Sequence, residues 1–341
     1  MRKHSIATSI GFTINCAGQM TDTKSDYSPP FLGRYMPYPF ADGDYSLALG
    51  LAPMREDSWL DFDEHYVAEM GEKTRRLRDE YDSVFHALPG SENGQAETLE
   101  LLLRHLIAFY PQRFRISGKP AGFDRSGHIE NLTNGAHWNV ADFADAPLDL
   151  AARLVQEDLC LMSPRAGDIY VLSAGSVCFP LRWELRDKIG LPLAAIHHPV
   201  PGYDEKLATP TDLYMARLKP HRPSWRCNWN VVDSPDLYLK QSPHPQEIGG
   251  SITPEDAGIK LWIRSERQTL RKLPRSGDVL FTIRTYIRSL SVLEGFPALA
   301  KGLSRALERI PPEMREYKNQ LAIREPLLAY LALISGTKQR I

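Results

Sequence analysis

The stretch VLFTIRTY, residues 279–286, has the composition of a β-strand. It is rich in β-branched and aromatic residues, which fit the half-buried surface of a sheet. Four other short segments share this character and are bounded by glycine, proline or aspartate, and they lie at 168–173, 177–183, 225–232 and 259–265. Most are separated by turns or long loops rather than by regular crossover helices. The sequence therefore predicts an antiparallel sheet.

Helical patterns lie on both sides of these strands. Apolar residues recur with a helical period over 63–88, 99–109 and 147–162 before most of the strands, and again over 290–310 and 327–334 after them. A further helix is predicted at 203–218, laid against the sheet. The fold class is therefore α+β, with a sheet wrapped by N-terminal and C-terminal helices.

Three segments follow from this pattern and are expected to form one compact unit. Residues 1–146 are predicted to be an arm, rich in proline and aromatic residues near its start, followed by helices that pack on the core. Residues 147–288 form the core with the sheet, and residues 289–341 form C-terminal helices.

Charge and cysteine content exclude several classes of protein. The 341 residues include 41 Lys+Arg and 42 Asp+Glu, a balance that argues against nucleic-acid binding through bulk charge and against a polybasic membrane anchor. No run approaches the roughly 20 apolar residues of a membrane helix. The four cysteines are far apart and form no CxxC pair, so no iron–sulfur cluster or zinc site is indicated. A cytoplasmic setting is expected.

The common nucleotide-binding and catalytic motifs are absent from the sequence. It contains no GxGxxG, no Walker loop, no GxSxG and no HExxH. A Rossmann-type nicotinamide or flavin site is therefore not expected, nor is a standard hydrolase or kinase.

Two histidine-containing segments could bind a metal. In HHPVP, residues 197–201, two prolines stiffen the backbone, which suits an imidazole that must keep one orientation. The alternative is a histidine pair on a surface turn. His128 and Glu130 could join a later histidine in the two-histidine, one-carboxylate site of a non-haem iron oxygenase, or could lie in a solvated loop.

Several arginines could capture an anion. If 259–267 is a strand, Arg264 and Glu266 point to one face and Arg267 to the other. The arginine fork suits a carboxylate, such as a haem propionate or an acidic substrate. The alternative is a solvated face with local ion pairs. Cys178 and Cys227 could supply a thiolate to haem, although buried cysteines more often serve as small apolar residues.

Taken in order, several strings of this sequence resemble one protein family. The strings are AGSVCFP (174–180), RW (182–183), KIG (188–190), IHHPVPGY (196–203), RCNW (226–229), RSERQTL (264–270), LP (273–274) and LFTIRTY (280–286). Their combination resembles the haem-dependent oxidative N-demethylase family, which includes the haem subunit of dimethylamine monooxygenase. The similarity covers about residues 150–290.

The resemblance implies a PAS-like antiparallel sheet that holds haem within residues 147–288. It implies oxidation of a secondary methylamine, such as dimethylamine, to a primary amine and formaldehyde with O2. Electrons would come from NAD(P)H through a separate subunit that carries flavin and an iron–sulfur cluster. Because this chain has neither a dinucleotide motif nor cluster cysteines, that partner is expected.

Carried over residue by residue, the resemblance points to His197 as the axial iron ligand, although physical reasoning alone does not separate it from His198. Arg226, Arg264 and Arg267 are expected to pair with the propionates or to order the pocket wall, but not all at once. No catalytic residue is assigned. Two alternatives remain open, a haem-binding PAS-type sensor without turnover and a non-haem iron oxygenase that uses His128 and Glu130.

Overall fold

The computed structural model describes residues 12–14, 20–22, 36–117, 127–240 and 252–336. The predicted α+β class is confirmed, since helices surround antiparallel sheets. Much of the predicted arm before residue 36 lies outside the described residues. In the arm's remaining part, the aromatic rings of Tyr38 and Phe40 are buried against the body, as their composition suggested.

The strands of the described regions are β1 (Phe12–Ile14), β2 (Met20–Asp22), β3 (Ala52–Pro53), β4 (Phe85–Ala87), β5 (Phe114–Ser117), β6 (His128–Asn131), β7 (His137–Asn139), β8 (Asp158–Pro164), β9 (Tyr170–Ser176), β10 (Ser224–Val232), β11 (Trp262–Lys272) and β12 (Val279–Ser289). The helices are α1 (Tyr66–Asp79), α2 (Tyr81–Val84), α3 (Glu92–Phe109), α4 (Pro147–Ala152), α5 (Leu193–His197), α6 (Tyr203–Lys206), α7 (Ala208–Arg217), α8 (Ala257–Lys260), α9 (Pro297–Arg309), α10 (Pro312–Tyr317) and α11 (Arg324–Ile334).

A seven-stranded sheet forms the centre of the fold. Its order is β3-β10-β11-β12-β8-β9-β4, and each neighbouring pair is antiparallel. The hairpin of β11 and β12 is its longest pairing and extends from Trp262 opposite Ser289 to Lys272 opposite Val279. Helices α5, α6 and α7 lie between β9 and β10 in the chain.

The two faces of this sheet pack against different helices. On the first face, Ile263 and Leu280 join apolar clusters that include α9, α11, α3 and α4. On the second face, Leu270 and Val279 cluster with Met215 of α7, and Leu193 of α5 packs against them. We call this second side the α5–α7 face.

Two sequence predictions at the start of the sheet were wrong. The predicted helix 147–162 ends at Ala152, and Asp158–Pro164 is strand β8. Its continuous apolar run is buried on both faces, so periodicity could not distinguish strand from helix. The predicted strand 177–183 is not a strand, since β9 ends at Ser176. The backbone amides of Cys178 and Phe179 do not pair with a neighbouring strand. They donate hydrogen bonds to the Asp158 carboxylate, at 2.8 and 2.9 Å.

Strands from more than one predicted segment share the central sheet. β3 and β4 belong to residues 1–146, yet they pair with β10 and β9 of the core. This sharing supports the proposal that residues 1–146 and 147–288 belong to one unit, and α9 and α11 join it through the apolar cluster that contains Ile263. Within the described ranges, no helix is both long enough and apolar enough to span a bilayer.

Candidate functional site

The α5–α7 face carries partly exposed side chains at the middle of the sheet. The register places Arg226 opposite Gln268, and Gln268 opposite Ile283, so the three side chains share one face. Three neighbours are also partly exposed on this face, and together the six form what we call the sheet-centre patch: Arg226, Asn228, Glu266, Gln268, Phe281 and Ile283. Phe281 and Ile283 are apolar and lie on an interior strand. Their partial exposure shows that the helices on this side do not cover them completely.

Helix α5 brings His197 to this side of the sheet. Leu193 and Ile196 of the helix pack on the cluster that includes Leu270 of β11, which fixes the position of α5. The Nδ1 atom of His197 lies 2.9 Å from the Leu193 carbonyl oxygen. A carbonyl oxygen can only accept, so Nδ1 carries the hydrogen and Nε2 keeps a lone pair for a metal.

Two further features prepare the His197 imidazole as a ligand. The ring stacks on Tyr203 with centroids 4.8 Å apart and an angle of 14°, which limits its rotation. Burial lowers the pKa of His197, the hydrogen bond to Leu193 opposes this shift, and the positive charges of Lys188 and Arg226 add to it. The imidazole is therefore neutral at pH 7, the form that binds iron.

His198 has different surroundings from its neighbour. Its side chain is 76% exposed, and its Nδ1 lies 2.8 Å from a carboxylate oxygen of Asp204. The imidazole of His198 is therefore turned to solvent. This difference supports His197, rather than His198, as the ligand that the sequence motif suggested.

Arg226 is a charged side chain whose buried Nε atom lacks a hydrogen-bond partner in the described part of the chain. Burial also lowers the pKa of Arg226, which means that its charge is poorly solvated. A buried cation is costly unless an anion or acceptor meets it. An anionic ligand bound beside His197 would meet this need.

The other two predicted arginines already have protein acceptors. Arg264 donates to the carbonyl oxygens of Leu237, at 2.7 Å, and Phe179, at 2.6 Å. Arg267 donates to the carbonyl oxygens of Trp59, at 2.9 Å, and Ser58. As predicted, Arg264 lies on the α5–α7 face and Arg267 on the other. Their contacts favour structural roles, and their pairing with propionates stays a prediction.

The residues at this site suit haem. The macrocycle supplies four ligands to iron, so the protein needs to add a single imidazole, and His197 offers a free Nε2. Phe281 and Ile283 offer apolar surface to the porphyrin, and Arg226 offers a charge to a propionate. These three kinds of group lie on one side of the sheet.

The non-haem iron alternative lacks an arranged metal site among the described residues, although His137 of β7 lies opposite Glu130 and its ring is 5.9 Å from that of His128. His128 and Glu130 lie on β6 of a separate three-stranded sheet, where Glu130 is paired with Arg115 at 2.5 Å. Nδ1 of His128 lies 3.2 Å from Oδ1 of Asn139. Across the described ranges, no group of three or more His, Cys, Asp or Glu side chains is arranged to hold a metal ion.

Neither proposed thiolate is suited to iron. Cys178 is fully buried, and burial raises its pKa to about 12. Burial also raises the pKa of Cys227, which lies opposite Arg267 and so points away from the sheet-centre patch. Cys178 packs in an apolar cluster with Leu77 and Val84, so neither sulfur is placed at the patch.

Sequence reasoning did not assign four residues of the sheet-centre patch to the site, namely Asn228, Gln268, Phe281 and Ile283, and it treated Glu266 only as a neighbour of Arg264. The alternation of β11 and β12 contained the signal, because residues two apart share a face. What the sequence lacked was the register between the strands, which brings these positions together.

The chain matches a model of a known protein family. Residues 50–328 match the family described as haem-dependent oxidative N-demethylase, alpha subunit-like. The match covers most of the chain and includes His197 and the whole sheet-centre patch.

Proposed function

Because this chain belongs to the family of haem-dependent oxidative N-demethylase, alpha subunit-like proteins, we propose that it is a haem-dependent amine monooxygenase. The reaction converts a secondary methylamine, such as dimethylamine, into a primary amine and formaldehyde. It consumes one O2, two electrons and two protons, and releases one water. The observation that carries this proposal is the free Nε2 of His197 beside the unpartnered cation of Arg226.

The topology of the core supports a PAS-like description. Numbered along the chain from β8 to β12, the five central strands lie in the order 2-1-5-4-3. The helices α5–α7 are inserted between the second and third of these strands and cover one face. The proposed haem lies between that helical layer and the sheet.

The residues of this chain hold and shield the reacting groups. When bound, haem supplies the activation of O2 that no side chain can provide. His197 binds the iron through Nε2, and its hydrogen bond to Leu193 fixes the orientation of the ring. Arg226 pairs with a propionate. Phe281 and Ile283 exclude water from the reacting methyl group, which limits side reactions.

The electrons are proposed to come from another polypeptide. The family description, alpha subunit-like, indicates a complex of more than one kind of subunit. The sequence contains no dinucleotide motif and no CxxC pair. We therefore include a partner subunit with flavin and an iron–sulfur cluster that takes electrons from NAD(P)H. A cytoplasmic setting remains part of the proposal.

Haem-loaded protein should release formaldehyde when it receives dimethylamine, O2 and electrons from a surrogate flavin and iron–sulfur reductase. Formaldehyde and methylamine should form in equal amounts, measured by derivatisation and chromatography. Protein that has not been loaded with haem serves as the control and should release none. Bound haem without formaldehyde across a series of secondary methylamines would favour the sensor alternative instead.

Replacing Arg226 with methionine should weaken hemin binding about tenfold or more, because a charge-assisted hydrogen bond to a propionate is lost. Hemin titrations followed in the Soret band would measure this effect. Arg186→Met is a matched control, since Arg186 is exposed and pairs with Glu184. Equal hemin affinity in wild type and Arg226→Met would contradict the role of Arg226.

A further inference from the structure

Glu266 is the one carboxylate of the sheet-centre patch. It lies opposite Asn228 on β10 and opposite Thr285 on β12, so it projects from the middle of the α5–α7 face. Its side chain is 13% exposed. A carboxylate at a mostly buried position can receive a positively charged ligand.

The Glu266 carboxylate is held in place by two neighbours on its own strand. Nε of Arg264 donates to Oε1 at 3.1 Å, and Nε2 of Gln268 donates to Oε2 at 3.3 Å. Arg264 is in turn anchored by the carbonyl oxygens of Leu237 and Phe179. An ionised carboxylate can accept about four hydrogen bonds, so about two sites remain for a ligand.

Among the described residues, Glu266 forms its ion pair with Arg264, whose Nε lies 3.1 Å from Oε1. The next two cations, Arg226 and Lys318, do not contact the Glu266 carboxylate directly. Arg226 is its diagonal neighbour across the β10–β11 ladder, a position about 7–8 Å away. Within the described ranges no ion pair joins these two side chains. Lys318 is within electrostatic range, but its Nζ donates to the Trp229 carbonyl oxygen at 2.6 Å. The patch therefore presents an anion-binding group and a cation-binding group side by side.

The proposed substrate has the chemistry that this arrangement accepts. A secondary alkylamine, like the lysine side chain, is a cation at neutral pH. Its N–H groups can donate to the open positions of a carboxylate, and its methyl groups suit Phe281 and Ile283. The attraction between the charges is stronger at a partly buried site than in water.

We propose that Glu266 is the residue that recognises the ammonium group of the substrate and thereby selects cationic methylamines over neutral molecules of the same shape. The inference rests on the proposed function. Arg264 and Gln268 act as positioning residues, because they orient the Glu266 carboxylate.

Two other groups that could receive the amine already have polar partners. Glu184 is paired with Arg186 at 2.7 Å. The hydroxyl of Tyr170 accepts a hydrogen bond from Lys272. Tyr203 stacks on the ring of His197, and its buried hydroxyl has no hydrogen-bond partner in the described regions. Within the sheet-centre patch, Glu266 is the one carboxylate, and it is partly exposed.

The test measures equilibrium binding to haem-loaded protein rather than turnover. Dimethylammonium and the neutral isostere dimethyl ether are each titrated at pH 7, and the change in the Soret band gives the two Kd values. In wild type, dimethylammonium should bind at least tenfold more tightly. In Glu266→Gln, which keeps the shape and removes the charge, this preference should fall to about onefold. Glu184→Gln is the matched control and should keep it.

Two measures guard against a misfolded variant. Hemin affinity and the Soret spectrum are determined for each protein, and the comparison uses variants that bind hemin with the wild-type spectrum. Glu266→Asp keeps the charge on a shorter side chain and should retain a preference for the cation, so it reports on the charge even if the glutamine variant does not fold. A preference preserved in Glu266→Gln, or lost in Glu266→Asp with intact hemin binding, overturns the proposal.

These outcomes differ from a failure of the proposed function. If wild type does not bind hemin, the proposed function itself is wrong. If wild type binds hemin and dimethylammonium with the same affinity as dimethyl ether, the haem site stands and the role of Glu266 is overturned.

Discussion

Replacing His197 with alanine is expected to abolish stable haem binding by this chain. In the described part of the site the imidazole of His197 is the proposed ligand for iron, and its Nδ1 hydrogen bond to Leu193 leaves Nε2 as the donor atom. The variant keeps the apolar surface of Phe281 and Ile283, so weak binding of porphyrin can remain. We expect the affinity for hemin to fall at least 100-fold and the ligand-field spectrum of a histidine-bound haem to disappear.

The measurement is a titration of haem-free protein with hemin, followed by absorbance from the Soret region to 700 nm. Added imidazole should restore part of the spectrum in His197→Ala, because it can occupy the space of the missing ring. His198→Ala is the matched control, since its ring is exposed and paired with Asp204. An unchanged spectrum in His197→Ala, or a lost spectrum in His198→Ala, would remove His197 as the ligand.

His197 and His198 show how much of this site the sequence could predict. The prolines after them indicated a stiff segment, and the family resemblance selected His197. The physical reason for the selection became visible only in three dimensions, because the Leu193 carbonyl and the Tyr203 ring contact one imidazole and Asp204 contacts the other. These contacts depend on how α5 and α6 pack, which local sequence does not specify.

The arginines show a second limit of sequence reasoning. Strand alternation correctly placed Arg264 and Arg267 on opposite faces. It could not show that backbone carbonyl groups far away in the chain would receive them, such as Trp59 for Arg267 and Phe179 for Arg264. Composition alone makes all three arginines equivalent anion-binding candidates. Of these three arginines, Arg226 is the one whose buried Nε has no hydrogen-bond partner in the described part of the chain.

The second large effect concerns stability, and it comes from the opposite face of the sheet. Arg284 of β12 is 1% exposed and contacts two carboxylates, Asp63 and Glu69, each at 2.8 Å. Gln156 donates to the same pair of carboxylates, at 3.0 and 2.5 Å. The segment before α1 and the first turns of α1 are thus fastened to the middle of the sheet through one guanidinium.

Replacing Arg284 with methionine should lower the free energy of unfolding by about 3–5 kcal/mol, because it leaves two buried carboxylates without their cation. Methionine fills much of the same volume, so the change reports on charge rather than on a cavity. Urea unfolding followed by tryptophan fluorescence would measure the effect. Arg288→Met is the control, since Arg288 pairs with the exposed carboxylate of Glu64 and should cost less than about 1 kcal/mol.

The pH dependence of this loss separates electrostatics from packing. In the wild type, burial raises the pKa of Glu69 and of Glu157, and the charge of Arg284 opposes both shifts. Burial also acts to raise the pKa of Asp63. There the charge of Arg284 and the hydrogen bond from Gln156 outweigh burial, and the pKa of Asp63 is lowered. Removing Arg284 lets all three native-state pKa values rise.

The native variant then binds more protons than the unfolded chain at pH values between about 4, where free carboxyl groups titrate, and neutrality. The free energy of unfolding changes with pH in proportion to the protons bound by the unfolded state minus those bound by the native state. This difference is negative in that pH range. The stability of the variant therefore increases as the pH falls. Because the three carboxyl pKa values are higher in the variant than in wild type, this gain is larger in the variant, and the deficit of Arg284→Met should be smaller at pH 5 than at pH 7. A deficit that is equal at both pH values would mean that Arg284 stabilises the protein through packing rather than through its charge.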